Sequence, residues 1–378
     1  MNYANRRMSS TTTLKDWMNL ILSGGSAYGK YSQVARALGA SGFFPNQTLL
    51  ASNTTDRDPL TIAFPAWYYP SDKTFVIWKE SGAYNLKVKY NDGGTPTVAT
   101  IAANTLHRPT AVVHGNYLHI YFRDRTTSQI KVQLIHYNGW LYGPYNVDPG
   151  PGQLRPTGAF EAAKYQNRVY LVFADSLNSS YLTIARCDNS VYCASSWHDF
   201  GGGTYKKVVR TVSVLPGMSA IAAGSVHGRG PLYTDLYIAA GEYYGGGVFV
   251  TRVNADDSTG PSFYIPTYYP SYTTITGIGI EARQAAFPFY WAPFWLYQNY
   301  LYLVWKDRNS SAIYTSVLQN APSSGTHRFT KSQPAFYDAK ANTGVSWAKG
   351  ATVTDNIQGV FASPTNSMIY QFNGYGRY

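Results

Sequence analysis

The stretch that decides the fold runs from Tyr117 to Trp140 and reads YLHIYFRDRTTSQIKVQLIHYNGW. Leu118 to Phe122 is apolar and aromatic, which predicts a strand, and Arg123 to Gln129 is a polar turn. Ile130 to Ile135 predicts a second strand. The next turn contains Asn138-Gly139, a pair that tolerates the positive φ angles of tight hairpins. The stretch therefore predicts two antiparallel strands joined by one turn and followed by another.

The same strand–turn–strand unit recurs six times along the chain. Its anchor residue lies near the end of the first strand, at Trp78, Phe122, Phe173, Ala240, Trp305 and Phe361. Five copies carry an acid two residues after the anchor, at Glu80, Asp124, Asp175, Glu242 and Asp307. A carboxylate at the start of a turn accepts hydrogen bonds from the following backbone N–H groups, which explains this spacing. The alternative is a ring of polar sites with one site in each repeat.

The repeats predict one all-β domain, a six-bladed β-propeller over residues 47–378, because their spacing fits four-stranded blades. Seven blades are the alternative, and residues 1–46 form an extension. The last repeat has room for only three strands, so a strand at Gln47 to Asn53 should complete the last blade and close the ring. The predicted blades are 57–103, 104–150, 153–207, 208–276, 277–341 and 342–378 with the N-terminal strand.

Composition supports a folded β protein and gives few hints of a partner. Aromatic residues make up 16% of the chain and charged residues 13%, which excludes a disordered chain. The net charge of +11 favours anionic surroundings, but the basic residues are scattered, so we expect no nucleic-acid interface. We find no apolar run long enough for a transmembrane helix and no signal peptide. The compartment stays open between the cytoplasm and a non-classical secretion route.

No standard catalytic, metal-binding or cofactor motif occurs, since the chain lacks Gly-x-Ser-x-Gly, His-Glu-x-x-His and a phosphate-binding loop. We therefore expect no cofactor and no metal, and we favour a non-catalytic protein. A carboxylate pair for glycoside hydrolysis is the enzymatic alternative, with Glu161, Glu281 and Asp58 near the predicted channel mouth. Cys187 and Cys193 flank one hairpin turn and leave a local disulfide or two free thiols as alternatives.

Four arginines stand at or just before the predicted innermost strands: Arg57, Arg108, Arg155 and Arg283. Innermost strands surround the channel, so these guanidinium groups can converge on its mouth and bind a carboxylate or sulfate through paired donors. The alternative is that each arginine pairs with a neighbouring turn acid or caps the end of a sheet.

Tryptophans form the second group of candidate binding residues, because flat rings suit the apolar faces of sugars. Trp67, Trp291 and Trp295 fall in aromatic inserts predicted on the face opposite the arginines. An exposed aromatic patch marks a partner surface. The alternative is that these rings fill the wedges between blades.

The string LHIYFRDRTTSQIKVQLIHYNGW resembles the repeat of the six-bladed fungal and bacterial fucose-specific lectins. In that family an aromatic strand, a short polar turn and an Ile-Arg-x-x strand precede Gly-Trp. The resemblance implies a non-enzymatic sugar-binding toroid in which Trp140 and Trp197 keep the position of the sugar-site tryptophan. The family's Arg and Glu on the third strand have no match in any blade, so fucose specificity is not implied.

We therefore predict a lectin-like recognition protein that binds glycans or glycoconjugates, including acidic ones. One alternative is a sialidase-like glycosidase that acts at the channel mouth. The other is a structural or assembly subunit whose exposed aromatic face packs against copies of itself, giving a homo-oligomer, or against a host protein.

Overall fold

The computed structural model of the protein describes 19 stretches of the chain. They are residues 43–57, 59–64, 73–91, 97–147, 154–175, 181–188, 191–194, 196–211, 221–225, 236–241, 247–266, 275–288, 295–307, 313–319, 328–329, 333–334, 345–349, 356–362 and 367–375. Within these stretches the elements are all β-strands. The predicted extension over residues 1–46 lies outside them, apart from its last four residues.

The described residues form 25 strands. In chain order they are β1 (Phe43–Thr54), β2 (Leu60–Phe64), β3 (Lys73–Lys79), β4 (Leu86–Asn91), β5 (Thr97–Ile101), β6 (Thr110–His114), β7 (Tyr117–Arg123), β8 (Ile130–His136), β9 (Leu141–Asn146), β10 (Pro156–Tyr165), β11 (Arg168–Asp175), β12 (Tyr181–Cys187), β13 (Lys207–Thr211), β14 (Ile221–Ser225), β15 (Leu236–Gly241), β16 (Gly247–Val253), β17 (Thr259–Pro266), β18 (Ile275–Pro288), β19 (Trp295–Asp307), β20 (Ile313–Gln319), β21 (Arg328–Phe329), β22 (Gln333–Pro334), β23 (Val345–Lys349), β24 (Asn356–Ala362) and β25 (Met368–Tyr375).

The sheets are arranged as the blades of a β-propeller. Four sheets are separate blades of consecutive antiparallel strands, which we number by chain order: blade 2 (β6–β9), blade 3 (β10–β13), blade 4 (β14–β17) and blade 5 (β18–β22). The remaining strands form one eight-stranded sheet in the order β1-β25-β24-β23-β2-β3-β4-β5. The all-β propeller prediction is confirmed.

The prediction of six separate blades is wrong, because four blades are separate and one eight-stranded sheet stands where blades 1 and 6 were expected. The physical reason is a short parallel pairing of β2 with β23, through Thr61 with Ala348 and Ile62 with Lys349. This pairing joins two antiparallel runs that otherwise have the strand number of a blade.

The N-terminal strand pairs with the last strand of the chain, as the sequence predicts. β1 runs antiparallel to β25, with Phe43 opposite Gly374 and Thr54 opposite Met368. The first strands contact one another in the cyclic order β2, β6, β10, β14, β18 and β23, and β23 contacts β2. The first strands therefore surround a common axis.

The core lies between neighbouring sheets, because alternate side chains of a strand point to opposite faces. On β7, Ile120 and Phe122 pack with residues of β2–β5, whereas Tyr121 packs with Phe160 of blade 3. The repeat anchors Trp78, Phe122, Phe173, Ala240 and Trp305 are all buried. Full burial of a side chain such as Phe122 or Phe173 contributes about 1.5–3 kcal/mol, so the large anchors stabilise the packing between sheets.

The blades present their loops on two faces. The crossover face carries the connections between blades, such as residues 102–109, and the turns between the second and third strands, such as residues 124–129. The opposite face carries the other turns, such as residues 137–140, and the segments 191–194 and 196–206 that follow β12. No helix of the described stretches has the length and hydropathy needed to cross a membrane.

Candidate functional site

The crossover over residues 102–109 is fixed to the turns of two blades by backbone hydrogen bonds. Thr105 N donates to Tyr84 O at 2.9 Å, and Arg125 N donates to Asn104 O at 2.7 Å. The Arg125 guanidinium also lies 4.4 Å from the centre of the Tyr84 ring. The crossover is therefore a fixed support against which neighbouring side chains can be positioned.

Two arginines bind adjacent residues of this crossover. Arg57 Nε donates to Leu106 O at 2.7 Å, and Arg57 Nη1 donates to Asp56 O at 2.9 Å. Arg123 Nη1 lies 3.4 Å from His107 Nε2. Because a guanidinium can only donate, His107 Nε2 is the acceptor and the ring is neutral. We call Arg57, His107 and Arg123 the arginine cluster.

The charges of the arginine cluster affect one another. Burial, and then the positive charges of Arg123 and Arg57, lower the pKa of His107 below its ordinary value. Burial also lowers the pKa of Arg123. Arg57 is exposed, while His107 and Arg123 are half-buried. The cluster therefore concentrates positive charge at a surface that solvent reaches, which favours an anionic ligand.

Lysines neutralise the carboxylates around this cluster. The pairs are Asp56 with Lys79 at 2.9 Å, Asp124 with Lys131 at 2.8 Å, and Glu80 with Lys87 at 3.5 Å. Among the described residues no carboxylate forms a salt bridge with Arg57 or Arg123. Within the described stretches, Arg57 and Arg123 are therefore positive charges that no salt bridge offsets.

The other predicted arginines are placed differently. Arg108 forms a buried ion pair with Glu161 of blade 3, and Thr110 Oγ1 donates to Glu161 Oε1 at 2.9 Å. Arg108 thus lies between two blades, and Glu161 is a partner of two groups at once. Arg155 is exposed just before β10. Arg283 lies on β18 opposite Tyr300, and its side chain is outside the described part of the structure.

Of the three candidate carboxylates, the structure describes the side chain of Glu161. Glu161 is buried and bonded to Arg108 and Thr110, so its carboxylate is not free for acid–base chemistry. Glu281 lies on β18 opposite Tyr302, and its side chain is not described. Asp58 lies outside the described residues.

Sequence reasoning missed Arg123 and His107. A signal for Arg123 was available, because a basic residue follows the repeat anchor in three of the six copies, as Lys79, Arg123 and Lys306. Lys79 pairs with Asp56, and Arg123 faces His107. No comparable pattern points to His107, which reaches the cluster through the path of the crossover.

The opposite face of blade 2 carries a continuous group of aromatic rings. We call Tyr117, Trp140, Tyr142, Tyr145 and Tyr192 the aromatic surface. Tyr117 is its centre, with ring centroids 5.9 Å from Tyr142 and 5.7 Å from Tyr192. Tyr192 lies 6.3 Å from Tyr145. Trp140 joins the group through His136, at 6.5 Å from Trp140 and 4.9 Å from Tyr117.

Three rings of this surface are unusually open to solvent. Trp140 is 65% exposed, Tyr192 45% and Tyr145 41%. Leu141 and Val191 beside them are also exposed. Large apolar side chains that are contiguous and exposed mark a binding surface rather than a core.

The turn over residues 137–140 presents Trp140 to solvent. Gly139 has a φ of +93°, as the sequence predicts for an Asn-Gly turn. Asn138 Oδ1 lies 2.6 Å from His136 Nδ1 and accepts from Trp140 N at 3.4 Å. The polar side chain of Asn138 therefore satisfies the turn, and the tryptophan ring is left outside.

The other predicted tryptophans do not join this surface in the described structure. Trp197 is 6% exposed and packs in the core between blades 2 and 3, next to Cys187 and Cys193. Its ring fills the interior between the two blades. Trp67 and Trp291 lie outside the described residues, and Trp295 begins β19 with its side chain not described.

The two cysteines form a disulfide. This result selects one of the two alternatives left by the sequence. In the described stretches, no group of three or more His, Cys, Asp or Glu side chains is arranged to hold a metal ion.

Comparisons with known proteins are remote. No family model and no curated protein matches the chain. A subtype N11 neuraminidase-like protein of A/flat-faced bat/Peru/033/2010 (H18N11) has a TM-score of 0.49 and 10% identity, covering 89% of this chain and 94% of its own. The α-L-arabinofuranosidase Arb93A from Fusarium graminearum has a TM-score of 0.47 and 11% identity, and the match covers 88% of this chain and 96% of that enzyme's chain. The GH43_1 enzyme from Xanthomonas citri, complexed with xylose, has a TM-score of 0.41 and 12% identity. That match covers 78% of this chain and 95% of the enzyme's chain.

All three TM-scores lie below 0.5, so these likenesses assign no function to this chain. Nothing in them shows the fucose-lectin repeat. The class that the described sheets define is an all-β propeller.

Proposed function

We propose that this protein is a carbohydrate-binding recognition protein whose ligand contacts Trp140 and the tyrosines around it. The observation that carries this proposal is the exposure of Trp140, 65%, at the edge of a continuous group of rings. A tryptophan that served only packing would be covered, as Trp197 is at 6%.

The chemistry of the aromatic surface suits a sugar. Its rings offer flat apolar faces to C–H groups, and the tyrosine hydroxyls and the indole N–H offer polar edges to sugar hydroxyls. The aromatic surface itself contains no Asp, Glu, Lys or Arg, so a neutral sugar fits it without a charged partner.

A glycan array on the purified protein, followed by calorimetry with the best ligand, tests this proposal. We expect Trp140→Ala to weaken binding about ten-fold or more, because 1.4 kcal/mol of lost ring contact is a factor of ten. Tyr84→Ala is the matched control, since Tyr84 is an exposed ring on the crossover face, at 42%. An array without signal, or equal loss in both variants, contradicts the proposal.

A second candidate function is a sialidase-like glycosidase that acts on an acidic sugar at the crossover face. The observation that favours it is the arginine cluster, in which Arg57 and Arg123 lie on adjacent crossover residues without a carboxylate partner in the described structure. Planar guanidinium groups bind carboxylates through paired donors. Because Glu161 is bonded to Arg108, this candidate requires a different catalytic carboxylate, and Glu281 and Asp58 stay open.

Acidic sugars separate the two candidates. If the arginine cluster binds the substrate, sialylated or sulfated glycans should bind, should lose affinity in moderate salt, and should be hydrolysed. We expect Arg57→Ala with Arg123→Ala to abolish this binding, and Arg155→Ala, an exposed arginine outside the cluster, to leave it unchanged. Acidic-sugar binding that survives the double substitution argues against this candidate.

A third outcome concerns assembly. If no glycan binds and light scattering shows an oligomer that Trp140→Ala dissociates, the aromatic surface is a contact between copies of this chain. A monomer at all concentrations excludes that reading.

A further inference from the structure

The aromatic surface crosses the boundary between two blades. Tyr117, Trp140, Tyr142 and Tyr145 come from blade 2, whereas Tyr192 comes from the loop that follows β12 of blade 3. Tyr192 lies 5.7 Å from Tyr117 and 6.3 Å from Tyr145. Burial, and then the neighbouring Tyr192, raise the pKa of Tyr117.

A disulfide closes the loop that carries Tyr192. Cys187 is the last residue of β12 and pairs in register with Val169 of β11. Cys193, the residue directly after Tyr192, is bonded to Cys187. Both cysteines are fully buried in the core between blades 2 and 3. The disulfide therefore ties the immediate neighbour of Tyr192 to a fixed strand of blade 3.

Solvent reaches much of the described loop segment that carries Tyr192. The residue is 45% exposed, and Val191 before it is 51% exposed, so burial holds this part of the loop only weakly. Ring contacts with Tyr117 and Tyr145 place Tyr192 beside blade 2. Opening a covalently closed loop increases the number of conformations it can adopt, so the fraction with Tyr192 in place should fall.

We propose that Tyr192 is a ligand-contacting residue of the aromatic surface and that the Cys187–Cys193 disulfide presents it, so that carbohydrate binding depends on the disulfide. This inference rests on the proposed function of the aromatic surface. Reduction by a dithiol breaks the S–S bond, adds two electrons and two protons to give two thiols, and oxidises the dithiol to its own disulfide. A ligand that contacts Tyr192 of blade 3 together with rings of blade 2 has to span more than one aromatic ring. This favours an oligosaccharide over a monosaccharide.

The test compares three variants of the loop and one control variant with the wild type, using the best oligosaccharide of the glycan array as the probe. We expect Tyr192→Ala to weaken binding about five-fold or more and Tyr192→Phe to weaken it less, since phenylalanine keeps the ring. Cys187→Ser with Cys193→Ser should reproduce the loss seen in Tyr192→Ala. Tyr84→Ala, on the crossover face, should bind as the wild type does.

A second readout does not depend on any glycan. Hydrogen exchange of the segment 191–194 reports whether the loop stays docked, and we expect faster exchange there after reduction of the folded wild type by a dithiol. If the serine variant does not fold, the reduced wild type and Tyr192→Ala carry the test. Equal binding of Tyr192→Ala and wild type, or equal binding before and after verified reduction, overturns the inference.

Failure of the proposed function is distinguishable from failure of this inference. A wild type that binds no glycan removes the proposed function, yet hydrogen exchange still shows whether the disulfide holds Tyr192 in place. Unchanged exchange of residues 191–194 on reduction removes the inference even where glycan binding is intact.

Discussion

Each end of blade 2 has a turn with a polar residue at its start, Asp124 at the crossover face and Asn138 at the opposite face. The two turns expose different chemical groups to solvent. At the crossover face, Asp124 Oδ1 accepts from Thr126 N and Thr127 N, both at 2.9 Å, and Oδ2 accepts from Lys131 at 2.8 Å. At the opposite face, Asn138 Oδ1 accepts from Trp140 N at 3.4 Å. In the first turn the charge of Asp124 is neutralised by Lys131, and in the second turn the ring of Trp140 is exposed to solvent.

The difference shows how the faces acquire different chemistry. Where the described carboxylates each pair with a lysine, Arg57 and Arg123 keep a positive charge that no described salt bridge offsets. Where the turn uses a neutral amide, rings rather than ions determine what the face can bind. The comparison predicts that charge substitutions affect the crossover face and ring substitutions affect the opposite face.

The largest expected effect is on the free energy of unfolding, and it distinguishes Arg108, which we expect to be structural, from Arg57, which we expect to bind ligand. Glu161→Ala should lower the free energy of unfolding by about 3–5 kcal/mol, because it leaves the buried Arg108 charge without its carboxylate. Arg57→Ala, at an exposed side chain, should change it by less than about 1 kcal/mol. Urea unfolding of both variants measures the difference.

Similar, small effects of Glu161→Ala and Arg57→Ala would mean that Arg108 reaches solvent. In that case Arg108 belongs with the arginine cluster. The contrast between a buried and an open arginine would then disappear.

The next effect is a pH dependence of stability that arises from His119, which lies in the middle of blade 2. Burial, and then the neighbouring His114, lower the pKa of His119 to about 3 from an ordinary 6.5. Between these values the unfolded chain binds more protons than the folded one, so stability is complete above about pH 6.5 and falls as the pH falls. The loss is about 1.4 kcal/mol for each pH unit, or about 2 kcal/mol between pH 6.5 and 5.

Urea midpoints at pH 7 and pH 5 measure this dependence. His119→Gln, which has no titrating group, should lose most of it relative to wild type measured in the same buffers. An unchanged pH dependence in that variant would assign the effect to groups other than His119.

The sequence predicted much of this architecture because strands and turns have local signatures. The repeated anchors Trp78, Phe122 and Phe173 all lie buried on second strands, and the pairing of β1 with β25 followed from the missing strand of the last repeat. The parallel pairing of β2 with β23 was not predictable, because two first strands that meet side by side carry no pattern of their own.

The candidate sites were less predictable because they depend on contacts between blades. Arg108 and Glu161 stand 53 residues apart in sequence, and only the approach of β6 to β10 brings them together. Trp140 and Trp197 occupy similar positions after third strands, yet one is exposed and the other buried. The loop closed by Cys187 and Cys193 packs beside Trp197, and nothing comparable covers Trp140 in the described structure.

The smallest expected effects compare two acids at the same position of the repeat, Asp124 and Glu80. The sequence interpretation, that such acids accept backbone N–H groups, is confirmed at Asp124. Burial raises the pKa of Asp124, but hydrogen bonds from Lys131 and Thr127 outweigh it and lower the pKa to about 2. Asp124→Ala should therefore cost about 1–2 kcal/mol of unfolding free energy at pH 7.

Glu80→Ala should cost no more than about 0.5 kcal/mol, because its side chain is 31% exposed and lies 3.5 Å from Lys87. The Asp124 contribution is present above about pH 4 and is lost as the pH falls towards 2, since the folded pKa is the lower one. Urea unfolding at pH 7 and pH 3 separates the two acids. Equal costs for Asp124→Ala and Glu80→Ala would show that the repeated acid acts through its charge alone, since only Asp124 has both turn N–H groups bonded to it.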